Sequence, residues 1–192
     1  DLLNALFMKK EEKIKTLNDC IGTNLLCRCY FKYDINYFYF YVHSVNDKFL
    51  LGQEEDDFIT DGYQIRKISD LKKLKIRDDL CAHINEMIGV TNAVVCPDVD
   101  ISSWQTIFHS LKKLDKFIIV EDAYNEEFII GLIEKTGKNF VKIKMFDAEG
   151  NWYEKPVKKL YSEITSIIWD DRYSTTWKKY FDLIETPENP EA

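Results

Sequence analysis

Apolar residues recur at helical spacing near the start of the chain, at Leu3, Leu6, Phe7, Ile14 and Leu17 among Lys and Glu. They predict an amphipathic helix that stops at Ile21-Gly22. The period then changes to two. Residues 25–33 and 37–45 are rich in aromatic and β-branched side chains and flank the turn-forming Asp34-Ile35-Asn36, the pattern of a hairpin. Further strands are expected at 49–54, 63–68 and 71–76, with turns at Asn46-Asp47 and Asp61-Gly62. Asp78-Asp79 then caps a short helix whose Leu80, Ile84, Met87 and Ile88 share one face. After a connector with Cys96-Pro97, Ser102-Ser103 caps a helix that carries Trp104, Ile107, Phe108, Leu111 and Leu114 on one stripe. Strands follow at 117–121, 128–134, 139–145, 152–153 and 165–169, and a last helix at 174–184 turns Trp177, Tyr180, Phe181 and Ile184 inward. The tail, residues 186–192, is expected to fray.

The same order of elements is thus expected twice, and the residues support a repeat. Ile68-Ser69-Asp70-Leu71-Lys72-Lys73-Leu74-Lys75-Ile76-Arg77-Asp78 aligns without a gap on Tyr161-Ser162-Glu163-Ile164-Thr165-Ser166-Ile167-Ile168-Trp169-Asp170-Asp171, class of residue for class of residue. The expected fold is α+β, a tandem duplication of helix, five-stranded small β-barrel and helix, since a short meander curls to remove its open edges. Its limits are a first module at residues 1–90, a connector at 91–101 and a second module at 102–185. In the second half, Phe128-Ile129-Ile130-Gly131-Leu132-Ile133, Gly137, Phe140-Val141-Lys142-Ile143 and the turn from Asp147 to Gly150 resemble the first conserved stretch of the Sm-like small-barrel family, over about 60 residues. That resemblance implies a small barrel and, in the family, RNA contacts from a second stretch of basic and small residues. Here the second stretch falls on residues 161–170, which hold neither Arg nor Gly. The whole chain also resembles uncharacterised proteins of low-GC Gram-positive bacteria, which implies no activity.

Charge and cysteine content narrow the function classes. A formal net charge of −7, with acids in both halves, opposes the counterion release that drives nucleic-acid binding. Five cysteines, Cys20, Cys27, Cys29, Cys81 and Cys96, are an odd number in a chain large enough to need no staples, which predicts reduced thiols and a cytoplasmic location. No apolar run approaches the roughly 18 residues a membrane helix needs.

Candidate chemistry is sparse. Cys27-Arg28-Cys29 puts two sulfurs on one strand face about 7 Å apart, but no second cysteine pair completes a zinc site. His43, His83 and His109 lack ligands at metal-binding spacing, and no nucleophile elbow or phosphate-cradling glycine loop is present. No cofactor, metal or catalytic residue is expected. Glu54-Glu55-Asp56-Asp57 is the densest charge; a metal-dependent hydrolase would use Glu54, Glu55 and Asp57. Alternation on the strand 37–43 sends Tyr37, Tyr39 and Tyr41 to one side, where they could form a protein interface or stack bases beside Lys72, Lys73 and Lys75. Ile168 replaces a lysine of the first copy and lies near Tyr161, so this outward strand face is expected to be covered. The resulting expectation is a non-enzymatic module that binds another protein or itself through Tyr37, Tyr39, Tyr41, Tyr161 and Ile168. A single-stranded nucleic-acid binder and a hydrolase are the alternatives.

Overall fold

The computed structural model describes residues 8–185. Positions 3–7 of the predicted first helix and the predicted frayed tail lie outside the described residues. The fold is α+β, with four α-helices and one antiparallel sheet of ten strands among the described residues. In chain order these are α1 (Lys10–Cys20), β1 (Leu26–Phe31), β2 (Phe38–Val45), β3 (Phe49–Asp56), β4 (Ile59–Lys67), β5 (Leu71–Arg77) and α2 (Leu80–Met87). Then come α3 (Trp104–Lys113), β6 (Ile118–Asp122), β7 (Glu127–Thr136), β8 (Phe140–Met145), β9 (Val157–Leu160), β10 (Ser166–Trp169) and α4 (Arg172–Glu185). A three-residue 3-10 helix precedes both β5 and β10.

The sheet order is β5-β1-β2-β3-β4-β10-β6-β7-β8-β9. This overturns the expected tandem duplication of two small barrels. Both halves use the order fifth, first, second, third, fourth strand, but neither closes on itself. β10 lies between β4 and β6, pairing Ser166 to Trp169 with Arg66 to Tyr63 on one side and with Glu121 to Ile118 on the other. The physical reason is that an unpaired strand edge is satisfied equally well by any strand of matching register. Gly62 makes that junction possible: its φ is +77°, and a Cβ there would stand 2.4 Å from Asp171 N and 2.5 Å from Trp169 O. The sheet nevertheless curls. Lys159 on β9 reaches Asp122 on β6, and Arg66 on β4 lies 3.9 Å from the ring centroid of Phe31 on β1.

Alternation sorts the core into layers. On one face Leu51, Ile65, Ile167, Val120 and Ile129 meet Ile107, Phe108 and Leu111 of α3, so a single cluster draws on both halves of the chain. On the other face, Cys27, Cys29, Phe31, Phe40 and Leu50 pack beneath Leu17 and Cys20 of α1. Phe117, Ile119, Ile130 and Phe146 pack beneath Phe181 and Trp177 of α4. α3 starts with a capping box, Ser103 and Thr106 each satisfying the other's backbone N–H. The strand expected at 152–153 is only a bridge from Phe146 to Trp152; the fourth strand of this half is instead β9, beyond Pro156.

Candidate functional site

The most chemically crowded surface is the face of β5, β1 and β2 turned away from α1. If Cys27 and Cys29 point at α1, Arg28 must point the other way. Pairing then sets it between Lys75 on β5 and Tyr39 on β2, with Tyr30 beside Lys73. Arg28 Nε and Nη2 donate to Tyr39 Oη at 3.0 and 2.6 Å, and the guanidinium lies 4.6 Å from the centroid of Tyr37. Tyr37 touches Tyr30 and Tyr39 edge-on, with centroids at 5.6 and 5.1 Å. Lys73 Nζ stands over Tyr30 at 4.7 Å and Arg77 over Tyr39 at 4.1 Å. Among the described residues, Arg28, Lys73 and Lys75 make no ion pair. Arg77 is tied to Asp79 at 2.7 Å and to Glu55 at 3.7 Å. Two clefts of about 300 Å³ meet at Arg77: one runs along Arg28 and Lys75, the other along Tyr37, Tyr39, Phe58 and Cys81.

Asp79 also caps α2, accepting from Ala82 N at 3.1 Å, and its bond from Arg77 holds its carboxyl below the usual carboxylate range. α2 is turned inside out. Leu80 is 73% exposed, Met87 84% and Ile88 63%, whereas Asn85 is fully buried. The Asn85 side chain makes no hydrogen bond of standard geometry, and its polar neighbour is the Tyr41 hydroxyl, whose pKa the contact lowers against the upward push of burial. A lone buried amide costs about 1–3 kcal/mol, and a solvated apolar stripe forgoes the burial that stabilises most helices.

The predicted interaction residues divide. Tyr37, 43% exposed, and the half-buried Tyr39 belong to this surface; Tyr41 is 2% exposed, and burial pushes its hydroxyl up to about 12. Tyr161 is in the core, stacked on Phe108 and donating to Gly137 O at 2.9 Å. Ile168 is half-buried against the α4 cluster, on the strand that joins the halves. Of the lysines, Lys73 and Lys75 stand beside the tyrosines, while Lys72 falls in a β-bulge opposite Tyr30 and Phe31. Arg28, Tyr30, Arg77 and the outward setting of α2 were missed. For Arg28 the signal was there, in its place between two inward cysteines.

The acidic residues do not converge. Glu54 faces the α1 side, where burial raises its pKa to about 7 and Gln64 donates to it. Beyond Gln64 the polar chain continues to Arg66, which pairs with Asp34. Glu55 faces Arg77 on the other side and accepts from Phe58 N, and Asp57 sits in the β3–β4 turn with φ +47°. His43 Nε2 donates to Gln53 Oε1 at 3.1 Å, and burial lowers its pKa. Among the described residues, no three His, Cys, Asp or Glu side chains are grouped to hold a metal, and no helix is long and apolar enough to cross a membrane. Comparison with protein families, with curated proteins and with solved structures found no match.

Proposed function

We propose that the protein is a non-enzymatic binding module that engages another protein, a second copy of itself included, through α2 and the adjoining face of β5, β1 and β2. The observation that carries this reading is α2, which shows Leu80, Met87 and Ile88 to solvent and buries the polar Asn85 in their place. Beside it, Tyr30, Tyr37, Tyr39 and Arg28 supply residue types that interfaces favour, already held in place by one another and so cheap to order on binding. The reading includes a cytoplasmic setting, supported by five cysteines none of which is in a disulfide.

The test is the mass of the full chain by light scattering, together with recovery of bound proteins, for wild type and for Met87→Lys and Arg28→Ala. Loss of a dimer, or of one specific bound protein, in both variants with unchanged melting supports the surface. Identical behaviour of all three removes it.

A single-stranded nucleic acid is the second reading, favoured by the unpaired Arg28, Lys73 and Lys75 beside three tyrosines. It ranks below because Glu55, Asp57, Asp78 and Asp79 rim the same clefts and the chain carries −7 overall. Fluorescence anisotropy with an unstructured oligonucleotide should show weak binding; submicromolar affinity that falls steeply with salt would exchange the two readings.

A further inference from the structure

Away from this surface, α1 and β1 bring two thiols together. Cys20 is the last residue of α1 and Cys27 the second of β1, separated by residues 21–26. The stripe of α1 that includes Leu17 rests on the β1 face carrying Cys27, Cys29 and Phe31. There Cys20 Sγ lies 3.1 Å from Cys27 Sγ, with both residues fully buried. A disulfide bond is about 2.05 Å long, so the two sulfurs need to close by only about 1 Å. Cys81 and Cys96 are more accessible but lie elsewhere, and Cys29 shares the face without an equivalent contact.

We propose that Cys20 and Cys27 form a thiol–disulfide exchange site, whose oxidant is a small disulfide of the oxidised-glutathione class. Cys20, as thiolate, attacks one sulfur of the reagent and expels its first thiolate, leaving a mixed disulfide on Cys20. Cys27, deprotonated in turn, attacks the Cys20 sulfur and expels the second. One S–S bond is broken and one formed, the protein loses two electrons to the reagent, and the two thiol protons end on the two released thiols. Cys20 is carried by α1 itself and leaves the core when that helix lifts, whereas Cys27 stays on β1, which assigns Cys20 the first step.

Both sulfurs are sealed beneath α1, so reaction waits on that helix lifting. The segment that follows α1 suits a hinge: Gly22 has φ +71° and residues 21–25 are exposed. Once formed, the bond fastens the end of α1 to the strand whose opposite face presents Arg28. This site stands on α1 and β1 alone and does not depend on the binding surface.

The experiment uses the full chain in a Cys81→Ser/Cys96→Ser background and, as a second preparation, the unmutated chain with its accessible thiols first blocked by iodoacetamide. Each is incubated with oxidised glutathione, with and without a urea concentration below the unfolding transition, and followed by intact mass and peptide mapping. The expected result is a loss of about 2 Da without a glutathione adduct, a peptide cross-linking residues 20 and 27, faster reaction in urea and reversal by dithiothreitol. A lasting glutathione adduct, a link through Cys29, or thiols that stay reduced in urea would each overturn the proposal.

Discussion

α2 and α3 are written in the same way and used in opposite ways. Each opens on a side-chain cap, Asp79 or Ser103, and each carries an apolar stripe at helical spacing. In α3 the stripe is core: Ile107, Phe108 and Leu111 meet residues of both halves of the sheet. In α2 three residues of the stripe, Leu80, Met87 and Ile88, face water, Ile84 is half-buried, and a polar residue, Asn85, takes the innermost place. Periodicity therefore tells which residues share a face, and says nothing of what that face meets. A covered stripe stabilises the fold; an uncovered one is available for binding.

Four measurements press on that contrast, each read as urea unfolding of the full chain. The largest effect belongs to α3: Phe108→Ala should destabilise by about 3–5 kcal/mol, since a buried ring leaves both lost burial and a cavity. An effect below about 1 kcal/mol would mean that α3 is not the core helix. Next is Glu54→Gln, at a half-buried carboxyl on the opposite sheet face from Asn85. Its folded pKa, raised to about 7 chiefly by burial, means that its proton is held more tightly in the folded chain. That favours the fold fully below the unfolded value near 4.5 and is lost as pH rises through 7. Relative to wild type, Glu54→Gln should therefore gain roughly 2–4 kcal/mol between pH 4 and pH 8. Parallel pH profiles would show the carboxyl to be solvated.

On α2 itself, Asn85→Leu should stabilise by roughly 1–3 kcal/mol, because it removes a buried amide with no hydrogen bond of standard geometry and adds apolar contact. Destabilisation would mean that Asn85 finds a partner, and that α2 is not inverted after all. The smallest effect is expected for Met87→Lys, within about 0.5 kcal/mol of wild type, since a residue so exposed contributes little to the isolated fold. A loss of 2 kcal/mol would show the stripe to be covered within the chain.

Much of the element order was legible. Capped helices, two-residue periods and Gly-containing turns placed α2, α3 and α4 and most strands within a few positions. What misled was closure. Two meanders with the same pattern predict two closed sheets, whereas register permits β10 to pair with β4, and the pattern is the same in both cases. β9 was missed because Lys158-Lys159 reads as solvent. Lys159 is in fact buried; burial alone would lower its pKa, and the opposing pull of Asp122 and Glu127 raises it instead. Of the candidate site, Tyr37, Tyr39, Lys73 and Lys75 followed from alternation. Tyr41 and Tyr161 did not, because covering by α2 and stacking under α3 are tertiary events that a strand pattern does not encode.

The position of β10 has a consequence for how the chain is made. β4 is complete at Lys67, but the strand that seals its edge begins at Ser166, about 100 residues later. At a synthesis rate of about 5–20 residues per second, β4 waits roughly 5–20 s with a row of open backbone groups while the second half emerges. A first half that folds during that interval is expected to be adhesive along β4, with Ser166 to Trp169 the late-arriving fastener that pairs with β4 and β6. Ribosome-stalled chains ending before and after β10 should therefore differ sharply in aggregation, with the hazard confined to the shorter one.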